Sequence, residues 1–319
     1  MYGISLGVDI GGTNTAYGVV NRAGEIIYES SVSTVEFSNP NELIKCIYAD
    51  LESKSYTQKL LGIGVGAPNG NHFTGNIEFA PNLPWTGVVE IAKLFSSIFN
   101  CKTILTNDAN AAAVGEMLFG AAKNMKNFVT ITLGTGLGSG VVIDKKIVYG
   151  HNGFAGEYGH IRVIPDGRPC ACGRLGCLET YASATGVVRS IQLLESENKA
   201  TSPLLQLAKP TSKDVVTLAA EGDLFAKEII DYTAKILGNA LADFMCFSNP
   251  ESFILFGGYA HSGQPLADRV KFYMEQAALN IYKNTAKVII SELQHKNAAI
   301  LGTAAIVFSD DIDNLTFDY

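Results

Sequence analysis

Six cysteines occur in this chain of 319 residues, and three of them, Cys170, Cys172 and Cys177, fall close together in "GHIRVIPDGRPCACGRLGC", shortly after His160. One imidazole followed by Cys-x-Cys-x4-Cys supplies one nitrogen and three thiolates, the ligand set of a closed tetrahedral zinc site. Gly167, Gly173, Gly176 and Pro169 give the loop the turns it needs to fold back on one ion. Four protein ligands leave no open position, so such a metal braces the loop and activates no water. Two carboxylates flank the loop, Glu157 and Glu179. Taken singly, each reads as a solvated surface group. A metal changes that reading by fixing the loop, and it leaves His160 a second ring nitrogen to meet a substrate. Cys46, Cys101 and Cys246 stand alone and read as small buried hydrophobes.

A second set of groups lies in "ILTNDANAAAVGE", where an apolar strand gives way to an Ala-rich helix at Asn107 and Asp108. A helix N-cap accounts for both residues by itself, because Asn and Asp satisfy the free N–H groups of a first turn. The alternative is catalytic: a carboxylate at the C-terminal end of a strand in an open α/β sheet accepts a proton from a substrate hydroxyl. One geometry satisfies both, with Asn107 capping and Asp108 reaching the ligand. Glycine-rich turns supply a third set, "DIGGT" at 9–13 and "LGTGLGSG" at 133–140, with hydroxyls at Thr13 and Thr135. Glycine lets the backbone approach a ligand closely, so successive N–H groups can converge on phosphate oxygens. Such turns are also common without any ligand.

Other nucleotide signatures are excluded. No Gly-Lys pair occurs, so there is no GxxxxGK[ST]. "GIGVGA" at 62–67 matches the loose dinucleotide pattern, but Pro68 and "NGN" follow at once, where a helix should begin. Charged residues make up 17% of the chain and the net charge is -7, which offers no positive field to hold nucleic acid. The N-terminus has no secretory pattern and no apolar run approaches the ~20 residues that span a bilayer. A cytoplasmic protein without nucleic-acid or membrane partners is expected, and in a reducing compartment clustered thiols favour metal over disulfides.

The elements that must position these groups alternate. Strands are expected over the apolar run ending at Asp9, "TAYGVV" and "EIIYESSVST", then a helix near 41–52, the strand "LGIGVGAP", a helix at 87–98, the strand "KTILTND" and a helix from Ala109 to Ala122. The opening pattern then returns in "FVTITLGTGLGSGVVIDKKIVYG", a hint of two related halves. Helices dominate 180–248, followed by the strand "SFILFGG", a helix near 265–281, the strand "AKVIISEL", a closing Ala-rich helix from Asn297 and an acidic tail over 310–319. This order specifies an α/β architecture.

These motifs together resemble the bacterial ROK family of sugar kinases. The matches are "DIGGT", "GVGAP", "PNLPW", "TNDANAAAVGE", "LGTGLGSG", "AGEYGH", "CACGRLGCLET" and "FGGY", spread over nearly the whole chain. The resemblance implies a ribonuclease-H/actin-like (ASKHA) two-domain α/β fold with the active site in a cleft between domains, and ATP-dependent transfer to a hexose 6-hydroxyl, most closely that of the family's glucose kinases. It implies a small domain over 1–107 joined by the C-terminal helix at about 297–319, and a large domain over 108–296 carrying the zinc loop 160–177. By resemblance Asp108 is the catalytic base, and Asn82, Asn107, Asp108, Glu157, His160 and Glu179 contact the sugar. Asp9, Gly11, Gly12, Thr13, Asn14, Gly134, Thr135 and Gly136 face the phosphates of ATP and its Mg2+, with Gly257 and Gly258 at the adenosine end. His160, Cys170, Cys172 and Cys177 match the family's structural zinc ligands. A homodimer or tetramer is expected. Asn14, Asn69 and Tyr259 stand where the family frequently has lysine, glycine and glycine. The resemblance also covers kinases for fructose, N-acetylglucosamine or N-acetylmannosamine, and sugar-responsive repressors. The repressors carry an added N-terminal helix-turn-helix, for which the eight residues before "DIGG" leave no room.

Overall fold

The fold was obtained as a computed structural model, which describes residues 3–198, 201–293 and 297–315. Two compact units emerge. The first comprises the described residues of Met1–Asn124, Ile147–Ala155 and His295–Tyr319, the second Met125–Lys146 and those of Gly156–Gln294.

The first unit opens with strands β1 (Ile4–Ile10), β2 (Asn14–Asn21) and β3 (Ile26–Ser33). Helix α1 (Pro40–Ser53), strand β4 (Leu60–Gly66), the short pair β5 (Ile77–Glu78) and β6 (Val88–Val89), helix α2 (Ile91–Phe99), strand β7 (Thr103–Thr106) and helix α3 (Asp108–Phe119) follow. Its sheet runs β3-β2-β1-β4-β7, with β1 antiparallel to β2 and parallel to β4. Central β1 is almost wholly buried, as a strand covered on both faces must be, whereas edge strand β3 alternates between intermediate and exposed. On α1, Asn39 Oδ1 accepts from Asn41 N at 2.9 Å, Pro40 opens the first turn, and Leu43, Ile44, Ile47 and Leu51 form the buried face. The short strand at 88–89 displaces the start of α2 from the expected 87 to Ile91.

In the second unit β8 (Phe128–Leu133), β9 (Leu137–Ile143) and β10 (Lys146–Ile147) lead to helices α4 (Glu179–Ala182), α5 (Ala184–Asn198), α6 (Ser212–Ala220) and α7 (Leu224–Ser248). Strand β11 (Ser252–Phe256), helix α8 (Gln264–Ala277) and strand β12 (Lys287–Ile290) complete it. The sheet order is β10-β9-β8-β11-β12, with β8 antiparallel to β9 and parallel to β11. It has the same arrangement as the first sheet, so the repeated strand-turn-strand pattern marks a repeated fold.

The closing helix α9 (Ala298–Leu315) packs in the first unit, against β1, β4 and α3. The approach is close: a Cβ at Gly64 would lie 1.8 Å from Thr303 O. That contact corrects the expected domain limits. Helix α3, assigned from sequence to the large domain, is held by α9, so the break falls at Asn124 and not at 107. The acidic tail continues α9 as far as Leu315, and its last residues, 316–319, lie outside the described residues. Cys46 and Cys246 are exposed and Cys101 is half-buried, contrary to the expectation of three buried thiols; a small thiol on the outer face of a helix costs little. Tyr259 is fully buried, so the residue replacing the frequent glycine fills core.

Candidate active site

Within the first unit, β1 ends at Ile10 and residues 11–13 turn the chain into β2, closed by Gly11 N donating to Asn14 O at 3.0 Å. Asp9 lies beside Gly66 of β4, at the end of the sheet to which β7 also delivers Asn107. A Cβ on Gly12 would lie 2.4 Å from Asn82 O. Only glycine therefore fits there, and the contact sets the Asn82 segment against the turn. Asn107 caps α3, its Oδ1 accepting from Asn110 N at 2.7 Å, which leaves its Nδ2 as the donor for a ligand. Asp108 takes the first helical position, where its Oδ1 accepts from Ala109 N at 2.9 Å. The capping role thus falls to Asn107, and Asp108 keeps an exposed carboxylate at the start of the helix.

Desolvation pushes the Asp108 carboxyl above the usual range. Water still reaches its exposed side chain, which tempers the shift. Asp9 is raised to about 7, first by burial and then by the charge of Asp108. An Asp whose folded value lies above its ordinary 3.8 takes up a proton on folding. Its contribution to stability is present at low pH and lost as pH rises through about 7. Asp9→Asn is accordingly expected to be more stable than the parent at pH 8 by about 2 kcal/mol, after allowance for water at the carboxylate. At pH 4 the advantage disappears. Thermal melts in Mg2+-free buffer at both values check this, and an equal difference at the two pH values contradicts it.

Within the second unit, β8 and β9 flank the matching turn, where Gly134 N donates to Gly136 O at 3.1 Å. Glu179 opens α4 and its Oε2 accepts from Leu137 N at 3.1 Å; a Cβ on Gly136 would sit 2.3 Å from that oxygen. Glu157 lies just before a short 3-10 turn over Tyr158–His160, which buried Ser139 holds: its hydroxyl donates to Gly156 O and accepts from Tyr158 N at 3.2 Å. Gly257, with φ 99, and Gly258 follow β11. A cavity of ≈ 580 Å³ lies beside the next turn, lined by Ala219, Leu224, Ile230, Ser262 and Leu266 among others.

The ligand atoms of His160, Cys170, Cys172 and Cys177 all lie within 4.8 Å of one another. Cys172 and Cys177 sulfurs are 3.7 Å apart, and Cys170 Sγ is 3.6 Å from His160 Nδ1. Tetrahedral zinc at ordinary bond lengths requires about 3.8 Å between sulfurs and about 3.6 Å from sulfur to nitrogen. The donor set therefore fits zinc, with Nε2 of His160 directed elsewhere. Backbone bonds shape the loop, from Cys170 N to Arg174 O at 2.9 Å and from Gly176 N to Arg168 O at 2.8 Å.

The structure thus groups Asp9, Gly11–Asn14, Asn82, Asn107 and Asp108 in one unit. It groups Gly134–Gly136, Glu157, His160, the three cysteines, Glu179, Gly257 and Gly258 in the other. Sequence reading missed the supports behind them: Ser139, Arg168 and Thr185, whose hydroxyl donates to Thr135 O at 2.7 Å. None of the three stood out in the sequence: Arg168 is one of three arginines in the loop, with Arg162 and Arg174.

The chain is 38% identical to a glucokinase of Halalkalibacterium halodurans over 95% of its length and 94% of that protein's. It is 28% identical to the xylose repressor of Caldicellulosiruptor bescii, over 97% of this chain and 79% of the repressor. A crystal structure of a ROK family glucokinase from Streptomyces griseus in complex with glucose and AMPPNP superposes with a TM-score of 0.80 at 31% identity, covering 95% of this chain and 99% of that one. The ROK family model matches residues 5–310, so the chain belongs to the ROK family.

Proposed function

We propose that this protein is an ATP-dependent kinase that phosphorylates the 6-hydroxyl of glucose. The observation that carries the reading is Asp108: a carboxylate with raised proton affinity at the start of α3, in the same unit as Asp9 and the Gly11–Thr13 turn. Near-full-length similarity to glucokinases supports it.

As the sugar oxygen bonds to the γ-phosphorus and the bond to the ADP oxygen breaks, Asp108 takes the hydroxyl proton. Asn82 and the Nδ2 of Asn107 hold neighbouring hydroxyls; Glu157, His160 Nε2 and Glu179 hold the rest. Hydrogen-bonding partners of this kind discriminate between hydroxyl patterns once the sugar covers them, because a mismatched sugar leaves them unpaired. Backbone N–H groups of the turns at 11–14 and 134–136 cradle the phosphates, Gly257 and Gly258 meet the adenosine end, and the cavity beside the following turn, at Ser262, takes the base. Asp9 would hold Mg2+, which would neutralise charge on the phosphates. The Cys/His loop holds zinc in a structural role, fixing His160 and the segment leading to Glu179. The protein acts as a homodimer or tetramer, which sedimentation decides. Among the described residues no helix is long and apolar enough to cross a membrane.

A coupled ADP-release assay with glucose, fructose, N-acetylglucosamine and N-acetylmannosamine tests the reading. The highest kcat/KM is expected for glucose. A higher value for another sugar reassigns the substrate. Sugar binding without ADP release points to the regulatory class that the xylose repressors represent.

A further inference from the structure

Arg168 lies in the Cys/His loop, two residues before Cys170, and no role in ligand binding or metal ligation falls to it. It is half-buried and makes more polar contacts than any neighbour in the loop. Nη1 donates to Thr180 O at 2.9 Å and to Gly186 O at 3.0 Å, and Nη2 donates to Ser190 Oγ at 3.1 Å. Cζ stands 4.5 Å from the centroid of the Tyr181 ring, while the Arg168 backbone N donates to the Tyr181 hydroxyl at 2.8 Å. Thr180 belongs to α4 and Gly186 to the first turn of α5, so one guanidinium spans the junction of two helices. Its rigid fork of donors suits several carbonyls facing different ways, which the single ammonium of lysine cannot reach together.

That junction has a second face. Ala184 N donates to Gly134 O at 2.9 Å and Thr185 Oγ1 donates to Thr135 O at 2.7 Å. Glu179, opening α4, accepts from Leu137 N. The turn at 134–137 therefore hangs on three residues of one short segment, and Arg168 holds that segment to the metal loop. We infer that Arg168 is a positioning residue that couples the Cys/His loop to the phosphate turn, so that the loop governs affinity for the nucleotide as well as for the sugar. The naming of those ligands rests on the function proposed above; the mechanical link does not.

The test compares the zinc-loaded parent with Arg168→Lys and Thr185→Val. The second substitution removes the hydroxyl that holds Thr135 and also pairs with Ser183 Oγ at 3.0 Å, and keeps the side-chain shape. Readouts are KM for ATP and for glucose, kcat, bound zinc, and amide hydrogen exchange across 134–137. R168K is expected to raise both KM values about tenfold, well below the ~10² that a 1 Å misplacement can cost, with kcat within about threefold, zinc retained and exchange across 134–137 faster. T185V is expected to raise KM for ATP about threefold, the size of an ordinary hydrogen bond's net contribution, and to leave KM for glucose unchanged. Unchanged exchange across 134–137 in folded R168K overturns the inference, as does an unchanged KM for ATP in T185V. If R168K does not fold, T185V decides alone. Absence of turnover in the parent refutes the proposed function and leaves the link to be decided by exchange.

Discussion

Replacing Asp108 with asparagine is expected to lower kcat by at least ~10²-fold, the low end of what a positioned general base contributes, while KM for glucose stays within about threefold of the parent. The fold should survive, because the amide oxygen can still accept from Ala109 N, the bond that the carboxylate makes at the start of α3. An amide can also still hydrogen-bond the sugar hydroxyl. What it cannot do is take the proton. The pH profile provides an independent check. Burial raises the Asp108 pKa, so parent turnover should fall as pH drops below that raised value and the base becomes protonated. The variant should lose that limb of the profile along with the rate. Near-parental turnover in D108N refutes the assignment outright.

Removal of the zinc proposed for the Cys/His loop, by chelation or by Cys172→Ser, is expected to have the second large effect. Cys172 is an exposed member of the four-residue cluster, so its substitution takes away a ligand without opening a cavity in the core. Structural zinc sites hold folding free energy that the metal-free chain forfeits. Both units here have apolar cores of their own, so the loss should loosen the loop at 160–177 without unfolding the protein, with a drop in Tm of about 5 °C or more. KM for glucose is expected to rise about tenfold or more, roughly 1.4 kcal/mol, because His160 loses the bond that orients its ring and the path to Glu179 softens. Calorimetric titration with glucose, run beside thermal melts of zinc-loaded and zinc-free protein, reads both consequences. Unchanged glucose affinity in zinc-free protein contradicts the orienting role.

Much of this was legible in residue order because local chemistry dictated it. Asn107 next to Asp108 after "ILT" announces a cap followed by a carboxylate in the first turn, and the structure places the cap on Asn107 and the carboxylate on the first helical residue. The Cys-x-Cys-x4-Cys spacing closes into a cluster without help from distant residues. The domain limit was not legible, because it depends on which partner α3 chooses. Its residues Ala109–Met117 are all buried, so no single apolar stripe names a partner. The partner proves to be α9, nearly two hundred positions away and equally rich in small residues. Arg168 was illegible for the same reason: its acceptors on Thr180, Gly186 and Ser190 come together only once the loop has folded.

The central claim is that Asp108 faces the hydroxyl that becomes phosphorylated. A crystal structure with glucose and a non-hydrolysable ATP analogue tests it most directly. The account predicts the sugar's 6-oxygen within hydrogen-bond reach of the Asp108 carboxylate, about 2.6–3.2 Å, with the γ-phosphorus in line on its far side. A 6-oxygen directed away from Asp108, with another group in its place, would contradict it.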